Sequence, residues 1–327
     1  MTVGPVPSGP RITVLAGGLG GARLALGLTE AGCASSTTFI TNVADDWLVG
    51  RLSVCPDTDA VLYALAGLFD DERGWGRRGD VFPGPAPGEP AWFGVGTADR
   101  RHHLARLAHL DRGLPLSGAI SALADGLGVE AAVLPVTDYP VRTVVQYGGH
   151  WVAFQEWLLR DGAPLPEHIT WTGLDRARPA PGVLAAIVDA DLVVLGSSSP
   201  VASLLPILGV AGVGEALRAR RAWTIALSPV VMNRPVVVER DRHRARARAM
   251  LLTARGIPHT VAGLAGLLRP FAGRMVIDPV DAASAGPVAR SGMEPLLAPV
   301  IGLDGPERSA QVRALLAAGP AQRADRE

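Results

Sequence analysis

The sequence predicts a three-layer α/β fold, with helices on both faces of a mostly parallel sheet, and three observations carry that prediction. Hydrophobic residues make up 48% of the chain against 5% aromatics, with Ala, Leu, Val and Gly prominent, the mix expected of parallel strands covered by helices. Short apolar, β-branched runs recur, and each ends in polar or turn-forming residues. Between them the apolar spacing becomes helical. In an open parallel sheet the ligand crevice lies outside the carboxyl ends of the strands, so the loops after these runs are expected to converge on one edge.

The elements follow in order. Residues 1–10, MTVGPVPSGP, are rich in Pro and Gly and predict a disordered leader. ITVLA (12–16) is the first strand, and after it GGLGGARLALGL brings Leu24 and Leu28 to helical spacing. TTFIT (37–41) leads into NVADD. From 57 to about 130 the pattern is mostly helical and reads as an insertion covering the crevice, interrupted by RRGDVFPGPAPGEP (77–90), whose prolines forbid regular structure. AAVLPV (131–136) leads into TDYP. RTVVQYGGHWVAFQEWLL (142–159) reads as two β runs turning at Gly148-Gly149, a hairpin on the sheet edge or a lining of the pocket. DLVVLG (191–196) leads into SSSP, and WTIAL (223–227) into SPVV. ERDRHRARARAMLLTARG (239–256) reads as a solvated helix face. One domain is expected over 11–317, followed by a C-terminal tail at 318–327.

Composition narrows the function. With 31 basic and 31 acidic residues the formal net charge is +0, so no overall field draws the chain to nucleic acid or to an anionic membrane. A small-molecule partner is expected instead. Every basic residue counted is Arg, so phosphate recognition rests on guanidinium groups or backbone amides. Cys33 and Cys55 are the only cysteines; they match no metal-ligand spacing, and nothing N-terminal resembles a secretory signal. Reduced thiols in a cytoplasmic protein are the expectation. No apolar run reaches the length of a membrane span.

Two loops carry chemistry. GGLGGAR supplies Gly17, Gly18, Gly20 and Gly21 where the first strand feeds the first helix, so backbone N–H groups approach an anion unhindered and the helix dipole adds favourable potential. The spacing is neither G-x-G-x-x-G nor a P-loop, and a simple tight turn also explains it. Arg23, one turn in, is either a fork onto a phosphate or a surface residue. TNVADDWLVGRLSVCPDTDAVLYAL (41–65) then crowds Asp45, Asp46, Asp57 and Asp59 into one segment, although like charges held close repel. A helix cap or a turn accounts for any one of them. Four together at a crevice edge point to Mg²⁺, which binds through one or two carboxylates plus substrate phosphates; Asp45, Asp46 and Asp57 are the candidate ligands. A carboxylate not on the metal orients or deprotonates an attacking hydroxyl. There is no G-x-S-x-G elbow, and His102 and His103 have helical spacing without a third ligand, so they are expected to lie on or pack a helix.

ITVLAGGLGGAR, NVADDWLVGRLSVCPDTDAVLYALAG, ERGWG (72–76), WFGVG (92–96), FQEW (154–157) and LSPVV (227–231), taken in order, resemble the 2-phospho-L-lactate transferases of deazaflavin coenzyme F-420 biosynthesis. The likeness runs from about residue 11 to about residue 315. It implies a Rossmann-like core with a helical insertion, a homodimer, and a requirement for Mg²⁺. It also implies a reaction in which a guanylylated phospholactyl or enolpyruvyl donor passes its phospho-acid unit to the ribityl hydroxyl of the deazaflavin FO, releasing GMP. On this resemblance the Gly17–Gly21 loop, with Ser198 and Ser199, would hold donor phosphates, and Asp45 and Asp46 would sit by the metal and the reacting phosphates. Asp59 would contact the acceptor, with Thr58, Asp99, Phe154, Glu156 and Trp157 on the acceptor side; Trp157 reads equally as a core anchor.

This chain departs from the family pattern at three places. Gly96-Thr97-Ala98-Asp99 stands where relatives usually read Gly-Asp-Arg-Asp, which removes an acceptor-binding Arg that Arg100 or Arg101 would have to replace. Ser197-Ser198-Ser199-Pro200 stands for Pro-Ser-Asn-Pro, and Tyr139 for the second Asp of Ser-Asp-Asp. The alternative of another class is a non-catalytic nucleotide-sugar-binding regulator of a related cytoplasmic group that shares the Gly-rich loop and a VADD-type loop; loss of the Arg favours it, and retention of CPDTD and FQEW favours the transferase. A nicotinamide dehydrogenase ranks third, because the glycine spacing is wrong for it.

Overall fold

A computed structural model describes residues 9–236 and 238–319. The expected leader and tail therefore fall almost wholly outside the described residues. From β1 (Ile12–Ala16) the chain turns directly into α1 (Gly18–Glu30) and returns through β2 (Thr37–Thr41). A short hairpin, β3 (Trp47–Val49) and β4 (Leu52–Val54), precedes α2 (Pro56–Leu65), which starts on Pro56, a residue preorganised for a first helical turn. An irregular stretch, 66–96, then reaches α3 (Thr97–Asp111), α4 (Leu116–Gly126) and β5 (Ala132–Pro135). Next come β6 (Arg142–Tyr147), β7 (His150–Ala153), β8 (His168–Thr172), α5 (Val183–Asp189) and β9 (Leu192–Leu195). Helices α6 (Leu205–Gly209) and α7 (Val213–Ala219) lead to β10 (Thr224–Leu227), and α8 (Glu239–Ala254) and α9 (Val261–Leu268) to β11 (Arg274–Ile277). The described chain ends with α10 (Ala285–Arg290), β12 (Glu294–Leu297) and α11 (Gly305–Ala318).

Seven strands form one wholly parallel sheet in the order β12-β11-β10-β9-β1-β2-β5. β1 is an inner strand, its Val14 lying opposite Phe39 on one side and Val194 on the other, and its whole length is buried. That is why ITVLA lacks polar alternation: both faces are covered. On one face Val14, Ala16 and Phe39 pack against Leu24 and Leu28 of α1, Val61 and Leu62 of α2 and Val312 of α11. On the other, Leu15, Ile40 and Leu195 join a core that includes Val201, Leu204 and the apolar residues Ala247, Leu251 and Leu252 of α8. The α/β sandwich with a mostly parallel sheet expected from sequence is thus present. Two of its strands carry no strong signal: β11 is a four-residue run, and β12 contains Pro295, tolerated because β12 is an edge strand.

The hairpin expected at 142–159 forms, but in a separate sheet of order β7-β6-β8 rather than on the main sheet's edge. Gly148 and Gly149 turn it with φ of +54° and +76°, the positive pair that two-residue hairpins demand. Its second strand stops at Ala153, because Phe154 and Trp157, one helical turn apart, wind inward and stack with ring centroids 5.6 Å apart. The Arg-rich α8 is not simply a solvated face either, since its apolar side is built into the core. No single helix among the described residues is long and apolar enough to cross a membrane.

Candidate functional site

Beyond β1 the chain leaves toward β2 on one side, while β9 arrives on the other, so the carboxyl ends of β1 and β9 mark the point where the strand order reverses and a crevice opens. The two loops there are tied together. Ser198 Oγ accepts from Gly17 N at 2.8 Å and donates to Gly17 O at 2.9 Å. A Cβ on Gly17 would lie 2.2 Å from Asp57 Oδ2, and one on Gly20 would lie 2.0 Å from the Ser197 carbonyl oxygen. These glycines are required by close approach of three segments. A Cβ on Gly21 would crowd Ala16, and Gly18 adopts φ +55°. As at any helix start, the first-turn N–H groups, those of Leu19 and Gly20 among them, have no carbonyl within the helix to bond, an arrangement suited to an anion.

Asn42, directly after β2, organises the carboxylates. Its Nδ2 donates to Asp57 Oδ2 at 3.0 Å and to the Ala202 carbonyl at 3.2 Å, while its Oδ1 accepts from Ala44 N. Asp57 also accepts from Gly18 N–H and Ser203. Asp45 accepts from Thr143 Oγ1 at 3.3 Å, and its own carbonyl holds Gln155 Nε2 at 3.0 Å. All three aspartates, 45, 46 and 57, are buried. Burial pushes the Asp57 carboxyl up to about 6, against the hydrogen bonds it accepts. Burial, joined by the charge of Asp57, raises Asp45 well above the usual carboxylate range. Asp46 is pushed up to about 7, again chiefly by burial, with Arg142 opposing.

Neither Asp45 nor Asp57 has an ion-pair partner among the described residues, and Asp46 Oδ1 is buried without a hydrogen bond. Such a set of hard oxygens lacking a counter-charge is chemically suited to a divalent cation. The ligand set expected from sequence is revised, however. No trio of His, Cys, Asp or Glu comes together among the described residues as a ready metal site. Asp45 and Asp57 face each other across Asn42, while Asp46 is turned toward Cys55.

Asp59 belongs to a different environment. It lies two positions after Asp57 on α2, so its side chain leaves the helix on nearly the opposite side. There it pairs with the fully buried Arg106 of α3, approaches His102 Nε2 at 3.2 Å and His103 Nδ1 at 3.6 Å, and accepts from Cys55 N at 3.2 Å. The Arg106 guanidinium holds its carboxyl far below the usual range in spite of burial. Asp99 accepts from Tyr63 Oη at 2.6 Å, with His103 Nε2 3.6 Å away. Thr58 Oγ1 is hydrogen-bonded to Thr41 at 2.7 Å and is fully buried. His102 and His103 pack this helix pair from inside.

Several expected ligands are engaged elsewhere. Arg23 is neither on the loop's anion face nor a surface residue: it is buried, and its Nε pairs with Asp71 at 2.7 Å. Arg100, one of the two residues that could stand in for the family Arg at Ala98, is bound by both oxygens of Glu89, one at 2.7 Å; Arg101 is exposed. Ser199 caps the turn at 200–204, accepting from Ala202 N. Glu156 accepts from Ala153 N and pairs with Arg160 at 2.7 Å. Trp157 is a core anchor whose Nε1 donates to the Pro164 carbonyl at 2.8 Å, and Phe154 is buried beside it. Sequence reading missed Asn42, Ser203, Thr143, Gln155 and Arg106. Asn42 carried a signal as an amide placed at the end of a buried strand, and Gln155 lies within the FQEW motif.

Comparison with known proteins bears on the chemistry. The family model described as 2-phospho-L-lactate transferase CofD matches residues 12–255. A phosphoenolpyruvate transferase from Streptomyces coelicolor is 37% identical over 298 residues, covering 86% of this chain and 90% of that protein. One from Streptomyces griseus is 36% identical, covering 94% and 97%, and one from Thermobifida fusca is 41% identical, covering 69% and 75%. The crystal structure of protein BH3568 from Bacillus halodurans, also described as a member of the upf0052 family, superposes with a TM-score of 0.59 at 18% identity, covering 88% of this chain and 92% of that one; it shares the fold.

Proposed function

The chain belongs to the 2-phospho-L-lactate transferase CofD family, enzymes that transfer a phospho-acid group, and on that premise we propose that it moves such a group from a guanylylated diphosphate donor to the ribityl hydroxyl of the deazaflavin FO, with Mg²⁺ required and GMP released. The observation that carries the reading is the buried Asp45–Asp57 pair, unmatched by any basic side chain among the described residues, set against the Gly17 loop. The acid is proposed to be enolpyruvate, the group named for the Streptomyces and Thermobifida relatives.

Asp45 and Asp57 would hold the cation, which would supply charge neutralisation on the donor phosphates. Leu19 and Gly20 N–H groups, at the positive end of α1, bind a phosphate oxygen. Asn42 keeps the two carboxylates apart and oriented. Asp46, with Oδ1 unused by the protein, orients the acceptor hydroxyl and accepts its proton as oxygen attacks phosphorus and the bond to GMP breaks. Asp59 and Asp99 act on this site through the α2–α3 packing. The working form is proposed to be a homodimer, which light scattering checks.

The test is incubation of purified protein with Mg²⁺, FO and guanylylated phosphoenolpyruvate or phospholactate, followed by mass spectrometry for GMP and a phospho-acid deazaflavin. Product formed only with FO and donor together supports the transfer. Absence of turnover with either donor, alongside tight binding of a nucleotide sugar, supports the regulator instead.

A further inference from the structure

Between α2 and α3 the chain makes a closed excursion. Phe69 and Arg77 face each other in an isolated antiparallel bridge, and Arg78 N donates to the Leu68 carbonyl at 2.7 Å, so the two ends meet. Inside, Asp70 braces the loop: its Oδ1 accepts from Arg73 N at 2.7 Å, its carbonyl accepts from Gly74 N at 2.7 Å, and its own N–H donates to the Gly76 carbonyl. The Arg73 guanidinium lies 4.5 Å from the Phe82 ring centroid and 5.4 Å from that of Trp75. The loop is therefore closed on itself and hydrogen-bonded internally.

Its two flanks are held from opposite faces of the sheet. Asp71 pairs with Arg23 of α1, whose apolar residues pack on one face. The tip, the Gly74 carbonyl, accepts from Arg244 Nη2 at 3.2 Å, and Arg244 stands on α8, whose apolar residues pack on the other. The short span from Asp71 to Gly74 thus runs between α1 on one face and α8, the helix that packs on the turn after Ser199, on the other. We propose that residues 69–77 are a strap over the reaction site, latched at the tip by Arg244, and that Arg244 is a positioning residue whose task is to keep water from the reacting phosphorus.

The inference rests on the transfer reading, because only a transferase has water as a competitor. If water attacks in place of the acceptor hydroxyl, the same phosphorus–oxygen bond breaks; donor and water become GMP and the free phospho-acid, the proton is lost to solvent, and no deazaflavin product forms. Excluding water is the means by which a closed site suppresses that side reaction.

Arg244→Gln and Arg244→Lys test it through two readouts: the ratio of GMP to deazaflavin product, and amide hydrogen exchange over residues 70–78. Arg244→Gln is expected to raise the ratio about tenfold, the scale of one charge-assisted hydrogen bond, and, by easing local opening of the loop, to lower protection over 70–78 while β1 and β9 stay protected. Arg244→Lys, which can still donate to the carbonyl, restores most of both. Asp71→Asn, releasing the opposite flank, is the second variant and shifts both readouts the same way. Unchanged protection, or an unchanged ratio once protection is lost, overturns the proposal. If the wild-type protein releases no GMP from these donors, the transfer reading falls, and the exchange experiment still decides whether the latch exists.

Discussion

Asp57 and Asp59 stand two residues apart on one helix, both buried, and their surroundings could hardly differ more. Asp57 faces Asn42, Ser203 and the start of α1, where among the described residues the donors that meet it are neutral, and burial pushes its carboxyl up to about 6. Asp59 faces Arg106 and two histidines, and its carboxyl is held far down. The Asp59 side neutralises its own charge. The Asp57 side, with Asp45 across from it, shows no such neutralising partner among the described residues, and on the proposed reading a cation supplies it. Proximity of carboxylates alone does not mark a reactive site; the missing counter-charge does.

The sharpest way to break this comparison is Asp57→Asn. The shape is kept and the charge removed, so transfer is expected to fall on the order of 10³-fold while the unfolding midpoint holds or rises. Steady-state GMP release and thermal unfolding measure the two. If Asp57→Asn retained full activity, the uncompensated pair would not be the seat of the chemistry.

On the other side, Arg106→Met strands Asp59 as an unpaired buried charge and is expected to cost about 3–5 kcal/mol of stability, read from denaturant midpoints. Adding Asp59→Leu to that variant should recover much of the loss, since replacing both partners of a buried pair by apolar groups is often close to neutral. A single Arg106→Met variant as stable as wild type would remove the distinction between the two sets.

The aspartates were visible in the sequence because they follow a strand end and open a helix, positions that local pattern identifies. What decides their roles was not visible. Arg106 is 47 residues from Asp59 and meets it only because α3 packs across the start of α2. Asn42 was adjacent to the acidic run, yet its bridging depends on α2 approaching β2. The strands before Gly17 and Ser197 were legible from their unbroken apolar runs, whereas β11 was too short and β12, with Pro295, broke the expected pattern. The partners of Arg23 and Glu156, Asp71 and Arg160, were not legible for one reason: a charged residue near a motif gives no sign of which side of its helix finds a partner first.

Acidity separates the two sets in solution. Asp46 and Asp57 have folded-state values raised to about 7 and about 6, so in the metal-free protein their contribution to stability is fully present below the unfolded carboxylate range and is lost as pH rises through 6 and 7. Asp59, lowered by Arg106, contributes the reverse: stability present above the unfolded value and lost only in strong acid. Metal-free protein is therefore expected to melt higher at pH 6 than at pH 8, by a shift on the order of a few degrees. Mg²⁺ added at pH 8 should close that gap. A melting temperature insensitive to both pH and Mg²⁺ would mean that the Asp45–Asp57 side finds its compensation within the protein after all.

The smallest effect concerns the serines that border the Asp57 side. Ser198 and Ser199 are neighbours, but Ser198 Oγ ties Gly17 by two hydrogen bonds, whereas Ser199 Oγ caps the turn that carries Ser203 to Asp57. Ser199→Ala removes one cap and is expected to cost about 1 kcal/mol, with the donor KM unchanged. Ser198→Ala should raise the donor KM, because the Gly17 loop loses the group that fixes both its N–H and its carbonyl. If instead Ser199→Ala raised the donor KM tenfold at wild-type stability, Ser199 would be a donor ligand in its own right. Recognition would then extend from the carboxylate floor onto the β9 loop, and the boundary drawn between charged chemistry and neutral scaffolding would have to move one residue along the chain.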